Sequence, residues 1–254
     1  MTHVSVQETV VPAIGLGTWP LKGPACREAV ATAIELGYRH IDTAQMYANE
    51  REVGQGIAAS GVNEADLFVV TKIWKGDTTR QRVREKTLLS RDLLGIKQIN
   101  LLLIHWPDPQ TPLRETLEAM AELQNEGVVR YLGVSNFDAS LLAAAQSITP
   151  ILCNQVEMHP YQQQKELVAA AEKRSIAITA YSPLARGKVA DDALLTQIGK
   201  DHGKTPSQVA LRWLVQHDHV MAIPKASSRA HLQENIDVFD FTLSPEEMRR
   251  VEKR

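Results

Sequence analysis

Short apolar runs recur eight times along the chain, and helix-like stretches lie between them. Runs such as Leu67–Val70 and Leu101–Ile104 are apolar at every position, which is typical of strands covered on both faces of a parallel sheet. We predict strands at Ala13–Gly17, His40–Asp42, Leu67–Lys72, Asn100–His105, Tyr131–Ser135, Leu152–Glu157, Ala177–Tyr181 and Val220–Ile223.

The segments between these runs carry the periodicity and the boundary signals of helices. Leu113, Leu117 and Met120 fall on one face of a predicted amphipathic helix. Near the C-terminus, Ser244 and Glu247 have the spacing of a capping box, in which each residue satisfies a backbone N–H of the other. We therefore expect helices between the strands.

Strands that alternate with helices in this way give an α/β fold built from right-handed βαβ units. Such units either close into a barrel or stay open as a doubly wound sheet, and the count of eight favours a single (β/α)8 TIM barrel. The 254 residues are a usual size for one such barrel, and no composition shift indicates a linker. We predict one domain over residues 1–254.

The composition limits the partners of the protein. Its 28 basic and 30 acidic residues give a net charge of −2, so no overall attraction to nucleic acid or to an anionic membrane is expected. No apolar run approaches the roughly 18 residues that a membrane helix needs, and no secretory signal pattern is present. We expect a cytoplasmic protein in which Cys26 and Cys153 stay reduced.

Polar and ionisable side chains lie at the carboxyl ends of most of the predicted strands. In a parallel barrel the carboxyl ends of the strands meet on one face, which is where active sites of this fold lie. We therefore expect one site that contains Asp42, Lys72, His105, Ser135, Asn136, Gln155, Glu157, Tyr181, Ser182 and Lys225, together with Tyr47, which follows Asp42 by five residues.

Four of these residues together form a proton-donating site. A tyrosine such as Tyr47 is a weak acid, because its usual pKa is about 10. Lys72 would favour the phenolate and lower that pKa, and Asp42 would hold the lysine in place. His105 could orient a carbonyl oxygen. A hydride would have to come from a cofactor, since no side chain supplies one.

Several longer strings resemble the aldo-keto reductase superfamily, and in particular its bacterial 2,5-diketo-D-gluconate reductase-like branch. The first is GYRHIDTAQMYANE at residues 37–50. The others, which follow in the family's order, are Leu103–Pro107, Gly133–Phe137, Asn154–Glu157, Ala180–Leu184 and Ile223–Lys225. The resemblance covers nearly the whole chain.

This resemblance implies an NADPH-dependent enzyme that reduces an aldehyde or ketone, with a small carbonyl compound such as methylglyoxal among the candidate substrates. It implies Tyr47 as the proton donor, Asp42 and Lys72 as the residues that tune it, and His105 as the residue that orients the carbonyl. The implied cofactor-binding residues are Ser135, Asn136 and Gln155 at the nicotinamide carboxamide, Tyr181 on its ring, Ser182, Pro183 and Leu184 along the pyrophosphate, Lys225, Ser227 and Arg229 at the 2′-phosphate, and Glu234 and Asn235 at the adenine. The implied walls of the substrate pocket are Trp19, Trp74 and Trp106.

The chain departs from the family pattern at two places. His231 stands where the family often has an arginine, and Arg229 is the residue that could compensate for it. The sequence ends at Arg254, whereas family members usually continue into a segment that closes over the substrate, so we expect a more open pocket. The family is often monomeric, and a monomer is expected here.

Other functions fit the residues less well. A metal-dependent hydrolase would need several histidines at the carboxyl ends of the strands, and the pair His217 and His219 precedes the last strand instead, so no metal is expected. A glycosidase needs two opposed carboxylates, and a lysine beside Asp42 suits a reductase better. The remaining alternative is a non-catalytic sensor or scaffold that binds nicotinamide; the intact set of four residues favours the enzyme.

Overall fold

Two sheets account for the strands in the computed structural model, which describes residues 2–254. An antiparallel hairpin of β1 (His3–Val6) and β2 (Thr9–Pro12) comes first. The second sheet is parallel, and its neighbouring strands follow chain order. Its eight strands are β3 (Leu16–Gly17), β4 (His40–Asp42), β5 (Phe68–Ile73), β6 (Ile99–Ile104), β7 (Val129–Ser135), β8 (Cys153–Glu157), β9 (Ala177–Tyr181) and β10 (Val220–Ala222).

Helices follow the strands of the parallel sheet. They are α1 (Gly23–Glu35), α2 (Glu50–Ser60), α3 (Arg80–Leu94), α4 (Leu113–Asn125), α5 (Ala139–Gln146), α6 (Lys165–Glu172), α7 (Ala193–His202), α8 (Pro206–Val215), α9 (Arg229–Ile236) and α10 (Pro245–Val251). Within residues 2–254, none of these helices is long and apolar enough to cross a membrane.

The residues that lead into β3, the first strand of the parallel sheet, are hydrogen-bonded to β10, the last strand. Ile14 and Ala222 form a parallel bridge. The Gly15 N–H donates to the Ala222 carbonyl at 2.9 Å, and the Ala222 N–H donates to the Ala13 carbonyl at 2.8 Å. Backbone N–H and carbonyl groups at the two edges of the sheet therefore pair with each other, which leaves fewer of them unpaired.

A strand lies at every one of the eight predicted positions, so the α/β alternation is confirmed. All six residues of β5 are buried, as its unbroken apolar sequence predicts for a strand covered on both faces. The helix α4 buries Leu117 and Met120 on one face, and Ser244 and Glu247 form both bonds of the predicted capping box. Cys26 and Cys153 are both free thiols and both buried, as expected.

The hairpin of β1 and β2 is an element that the sequence did not indicate. Each of its strands has four residues, which is too short for an alternating pattern to stand out. It connects to the parallel sheet through side chains: Thr9 Oγ1 donates to Tyr131 Oη at 2.8 Å, and the Pro12 carbonyl lies 3.2 Å from His40 Nδ1. The hairpin thus packs where β4 and β7 begin.

A close approach between α2 and the C-terminal end of α3 depends on a glycine. A Cβ atom added at Gly54 would lie 2.4 Å from the Leu94 carbonyl oxygen. That neighbour is backbone, so it cannot move aside as a flexible side chain would.

We therefore expect Gly54→Ala to lower the free energy of unfolding by about 1–3 kcal/mol through overpacking. Urea unfolding followed by circular dichroism would measure this change. Gln55→Ala, at the exposed neighbouring position of the same helix, is the control and should leave stability nearly unchanged. Equal stability of Gly54→Ala and wild type would show that α2 and α3 lie further apart than described.

Candidate active site

A cleft of about 880 Å³ opens at the carboxyl ends of the parallel strands. Most of the residues that the sequence singled out lie along it. Those that line the cleft are Trp19, Asp42, Tyr47, His105, Trp106, Ser135, Asn136, Gln155, Tyr181, Ser182, Pro183, Leu184 and Lys225. The strand ends therefore bring together residues that are as far apart in sequence as Trp19 and Lys225.

Lys72 lies on β5 beneath the cleft and is completely buried. Its ammonium nitrogen donates to Asp42 Oδ1 at 2.5 Å, to the Thr43 carbonyl at 2.7 Å and to Tyr47 Oη at 3.4 Å. A lysine has three N–H donors, so all of them have acceptors. Burial by itself would lower the pKa of Lys72, but Asp42 and Tyr47 raise it above its usual value, so the side chain is charged.

Asp42 is the last residue of β4 and is also buried. Its second oxygen, Oδ2, accepts a hydrogen bond from Gln155 Nε2 at 2.7 Å. Both carboxylate oxygens thus have donors, one on the neighbouring strand β5 and one on β8, and a buried ion pair is stabilised when its remaining lone pairs are satisfied in this way. Gln155, which was expected at the nicotinamide carboxamide, also fixes the partner of Lys72.

Tyr47 ends a 3₁₀ turn, Gln45–Tyr47, that follows β4. Burial raises the pKa of Tyr47, and the charge of Lys72 offsets part of this effect without reversing it. Lys72 therefore lowers the pKa of Tyr47 as expected, but the loss of solvation is the larger influence, so the net shift of that pKa is upward. The phenol keeps its proton at neutral pH, so Tyr47 can act as an acid.

His105 follows β6, and its imidazole is uncharged. Burial lowers the pKa of His105 to about 3, and the charge of Lys72 contributes to this shift. The ring contacts Tyr47 edge-on with centroids 5.6 Å apart, and Trp74 in the same manner at 5.1 Å. Within residues 2–254, His105 Nδ1 is buried without a hydrogen-bond partner. A neutral imidazole beside a phenol can orient a polar atom without repelling the ammonium.

The other half of the cleft contains hydrogen bonds among the predicted cofactor residues. Asn136 has a left-handed backbone (φ 63°), and its Nδ2 donates to the His105 carbonyl and to Ser135 Oγ, both at 3.0 Å. Its Oδ1 accepts from Tyr181 Oη at 3.0 Å. Ser135 Oγ in turn donates to the Gln155 carbonyl at 2.8 Å. These contacts hold the Tyr181 ring in one orientation at the cleft.

Arg186 and Gly187, on the segment after β9, are among the lining residues that sequence reasoning missed. Both have left-handed backbones, as do Ser182 and Ala185 nearby. Strained non-glycine residues of this kind concentrate at ligand sites. Arg186 lies two residues after the Ala180–Leu184 string that resembles the family, so its position in the sequence could have indicated it.

The cleft has an excess of positive charge. Arg186 and Lys225 are exposed cations along it, whereas Asp42, the acidic residue in the lining, is neutralised by Lys72. A positively charged cleft attracts a ligand that carries phosphate groups. The residues present therefore fit a dinucleotide cofactor.

The remaining predicted site residues lie outside the lining of the cleft. Arg229 donates to both carboxylate oxygens of Glu35 at 2.9 and 3.0 Å, so a phosphate would compete with that ion pair. Glu234 accepts from Thr205 Oγ1 at 2.6 Å. Asn235 is buried and Ser227 is exposed, and Trp74 packs on His105 from outside the lining.

Comparisons with known proteins agree with this geometry. The model of the Aldo/keto reductase family matches residues 13–254. The chain is 43% identical to a 9,11-endoperoxide prostaglandin H2 reductase of Trypanosoma cruzi, over 99% of this chain and 89% of that one. Its structure is similar to that of a "putative 2,5-diketo-D-gluconic acid reductase B" (TM-score 0.98, 41% identity, 100% of this chain and 91% of that one). It is also similar to an aldo-keto reductase of Bombyx mori in complex with NADP (TM-score 0.92, 34% identity, 99% and 92%).

The buried ion pair of Lys72 and Asp42 leads to a prediction about the free energy of unfolding. Asp42→Asn removes the charge that compensates a fully buried ammonium, so we expect the free energy of unfolding to fall by about 3–5 kcal/mol. Denaturant unfolding at neutral pH would measure this. Asp92→Asn, which breaks an exposed pair with Arg91, should change stability little. Similar values for the two variants would mean that Lys72 is not charged in the folded protein.

Proposed function

The chain belongs to the aldo/keto reductase family, and we propose that it reduces an aldehyde or ketone to an alcohol, with NADPH as the cofactor and Tyr47 as the proton donor. The observation that carries this proposal is the hydrogen bonding of Lys72 to Asp42 and Tyr47 beneath the cleft. It joins a fixed positive charge to a phenol whose own O–H donates to no residue within 2–254 and can therefore serve a ligand.

The charges around Tyr47 suit the donation of a proton. Its raised pKa keeps the phenol protonated at neutral pH, so the proton is available when a carbonyl oxygen becomes negative. Once Tyr47 has lost its proton, Lys72 at 3.4 Å stabilises the phenolate. Asp42 keeps the ammonium in place and compensates its burial. The neutral His105 ring would orient the carbonyl oxygen toward the phenol.

In the proposed reaction, the carbonyl carbon gains a hydride and the carbonyl oxygen gains the proton of Tyr47, which yields an alcohol and a phenolate. NADPH supplies the hydride when it is bound, because no side chain can. Tyr47 then recovers a proton from solvent. Ser135, Asn136 and Gln155 would hold the carboxamide, and the Tyr181 ring would cover one face of the nicotinamide.

The cations of the cleft support binding of the rest of the cofactor. Ser182, Pro183 and Leu184 would border the pyrophosphate, and Lys225 would bind the 2′-phosphate of NADPH. Ser227, Arg229, Glu234 and Asn235 lie beyond the lining and would contact the adenosine end. Arg229 would have to exchange Glu35 for a phosphate. The substrate would lie between Trp19 and Trp106, whose rings are about half exposed.

We also infer that the parallel sheet closes as a single (β/α)8 barrel formed by one domain. The hydrogen bonds between residues 13–15 and Ala222 support this inference, because they join its two edges. Closure gathers all eight carboxyl ends around one opening, as the proposed site requires.

Tyr47→Phe tests the assigned proton donor. We expect it to lower kcat by roughly 100- to 10,000-fold, because the positioned acid is lost while the ring is kept. The dissociation constant of NADPH should change little. Turnover is measured as NADPH oxidation at 340 nm with methylglyoxal and benzaldehyde, and binding by tryptophan fluorescence. Tyr131→Phe, at the opposite end of the sheet, is the matched control.

Full turnover by Tyr47→Phe would contradict the proposed role of Tyr47. If wild-type protein binds NADPH tightly and reduces no carbonyl in a broad panel, it is a non-catalytic nicotinamide-binding sensor or scaffold. If it binds neither NADPH nor NADH, the cofactor assignment is wrong.

Lys225→Ala tests the proposed preference for NADPH. We expect it to weaken NADPH binding by about 10- to 100-fold, since a hydrogen bond to a charged group is lost. NADH binding should change little, because NADH lacks the 2′-phosphate. Lys200→Ala, at an exposed position of α7, is the control. An equal loss of affinity for the two nucleotides would contradict a contact with the 2′-phosphate.

A further inference from the structure

Asn49 is fully buried between two loops that carry residues of the cleft. Its Nδ2 donates to the carbonyl oxygens of Thr18 at 3.3 Å and Leu21 at 3.0 Å, and its Oδ1 accepts from Thr43 Oγ1 at 2.7 Å. The two N–H groups and the oxygen of the amide are therefore all used. Removing such a buried donor leaves its acceptors unsatisfied, which is costly.

The carbonyls that Asn49 holds lie at the two ends of one turn, which runs from Thr18 to Leu21. The Leu21 N–H donates to the Thr18 carbonyl at 2.7 Å and closes the turn. Between these ends lies Trp19, which lines the cleft and is 50% exposed. Its ring centroid is 5.2 Å from that of Tyr47, at an angle of 46°. Asn49 thus fixes the turn that presents Trp19 to the proposed proton donor.

The amide oxygen of Asn49 is connected through Thr43 to Lys72, which hydrogen-bonds to Tyr47. Thr43 donates to Asn49 through its hydroxyl, and its carbonyl accepts from Lys72 Nζ at 2.7 Å. A second connection is made by Lys22, whose ammonium donates to the Tyr47 carbonyl. The Trp19 turn and the Tyr47 turn are therefore held against one another by side chains that do not line the cleft.

A helix cap is the ordinary use of an asparagine at this position, since Asn49 directly precedes α2. The structure excludes that use, because the side chain of Asn49 makes no capping hydrogen bond to the helix within residues 2–254. Its buried amide acts on the two loops instead.

We propose that Asn49 is a positioning residue that determines substrate specificity by fixing Trp19 relative to Tyr47. This proposal rests on the proposed carbonyl reduction. A bulky aromatic carbonyl compound needs the Trp19 wall in its place beside the phenol, whereas a small aldehyde reaches Tyr47 without contacting it. Loss of the two donated hydrogen bonds therefore affects aromatic substrates more than small ones.

Asn49→Asp is the sharpest variant, because it keeps the size of the side chain and the acceptor for Thr43 but removes both N–H donors. Gln216→Glu is the matched control: it makes the same amide-to-acid change where Gln216 Nε2 donates to the Leu243 carbonyl at 2.8 Å, at residues outside the cleft lining. Asn49→Ala removes the same donors without adding a charge and replaces Asn49→Asp if that variant does not fold.

Two readouts are measured on each variant. The first is the ¹⁹F resonance of 5-fluorotryptophan at Trp19, assigned with Trp19→Phe, and it does not depend on activity. The second is the ratio of kcat/KM for benzaldehyde to that for methylglyoxal. We expect Asn49→Asp to shift the Trp19 resonance and to lower the ratio about tenfold, mainly through KM for benzaldehyde. Gln216→Glu should leave both readouts as in wild type.

An unchanged Trp19 resonance or an unchanged ratio in a folded Asn49 variant would overturn the proposal. A fall in the free energy of unfolding without these two changes would assign Asn49 a purely structural role. If wild-type protein reduces no carbonyl, the proposed function is wrong, and so is the proposed role of Asn49 in substrate specificity. The ¹⁹F spectrum would then still decide whether Asn49 positions Trp19.

Discussion

The buried ammonium of Lys72 is the group on which the rest of the cleft depends. An uncompensated charge in the interior is very unfavourable, so the protein must surround it with acceptors. Asp42, Thr43 and Tyr47 provide them, and all three come from β4 or the residues that follow it. Since β4 and β5 are neighbours in the sheet, their register brings the lysine and the carboxylate together. The ion pair with Asp42 compensates the buried charge of Lys72 and also orients its ammonium toward the Tyr47 hydroxyl.

Hydrogen bonds extend from this pair to both halves of the cleft. Gln155 on β8 reaches Asp42, and Ser135 on β7 reaches the Gln155 carbonyl, so the proposed nicotinamide site and the proposed acid share one network. On the other side, Thr43 connects Lys72 to Asn49 and so to the Trp19 turn. A network that is fully satisfied is rigid. Hydrogen bonds within the chain itself thus fix the relative positions of Lys72, Asp42 and Gln155.

The sequence predicted the repeating part of the fold well, because burial on both faces leaves unbroken apolar runs such as β5 and β6. It also predicted many of the residues that lie along the cleft, since the carboxyl end of each strand follows directly from the position of the strand. It was less informative where the structure depends on short or charged segments. The hairpin of β1 and β2 is too short for a clear pattern, and the pairing of Arg229 with Glu35 joins residues 194 positions apart, which no local spacing reveals.

The sequence by itself determined the alternation of strands and helices, the residue types at the strand ends and, through longer strings, the family. Those properties depend on local periodicity and on residue identity. Only the tertiary structure determined how the pKa of each site residue is shifted. Burial raises the pKa of Tyr47 despite the nearby ammonium, and it lowers that of His105 to about 3. The tertiary structure also determined that the side chain of Asn49 hydrogen-bonds to two loops rather than to its own helix. Solvent exclusion and contacts between distant segments exist only after the chain has folded.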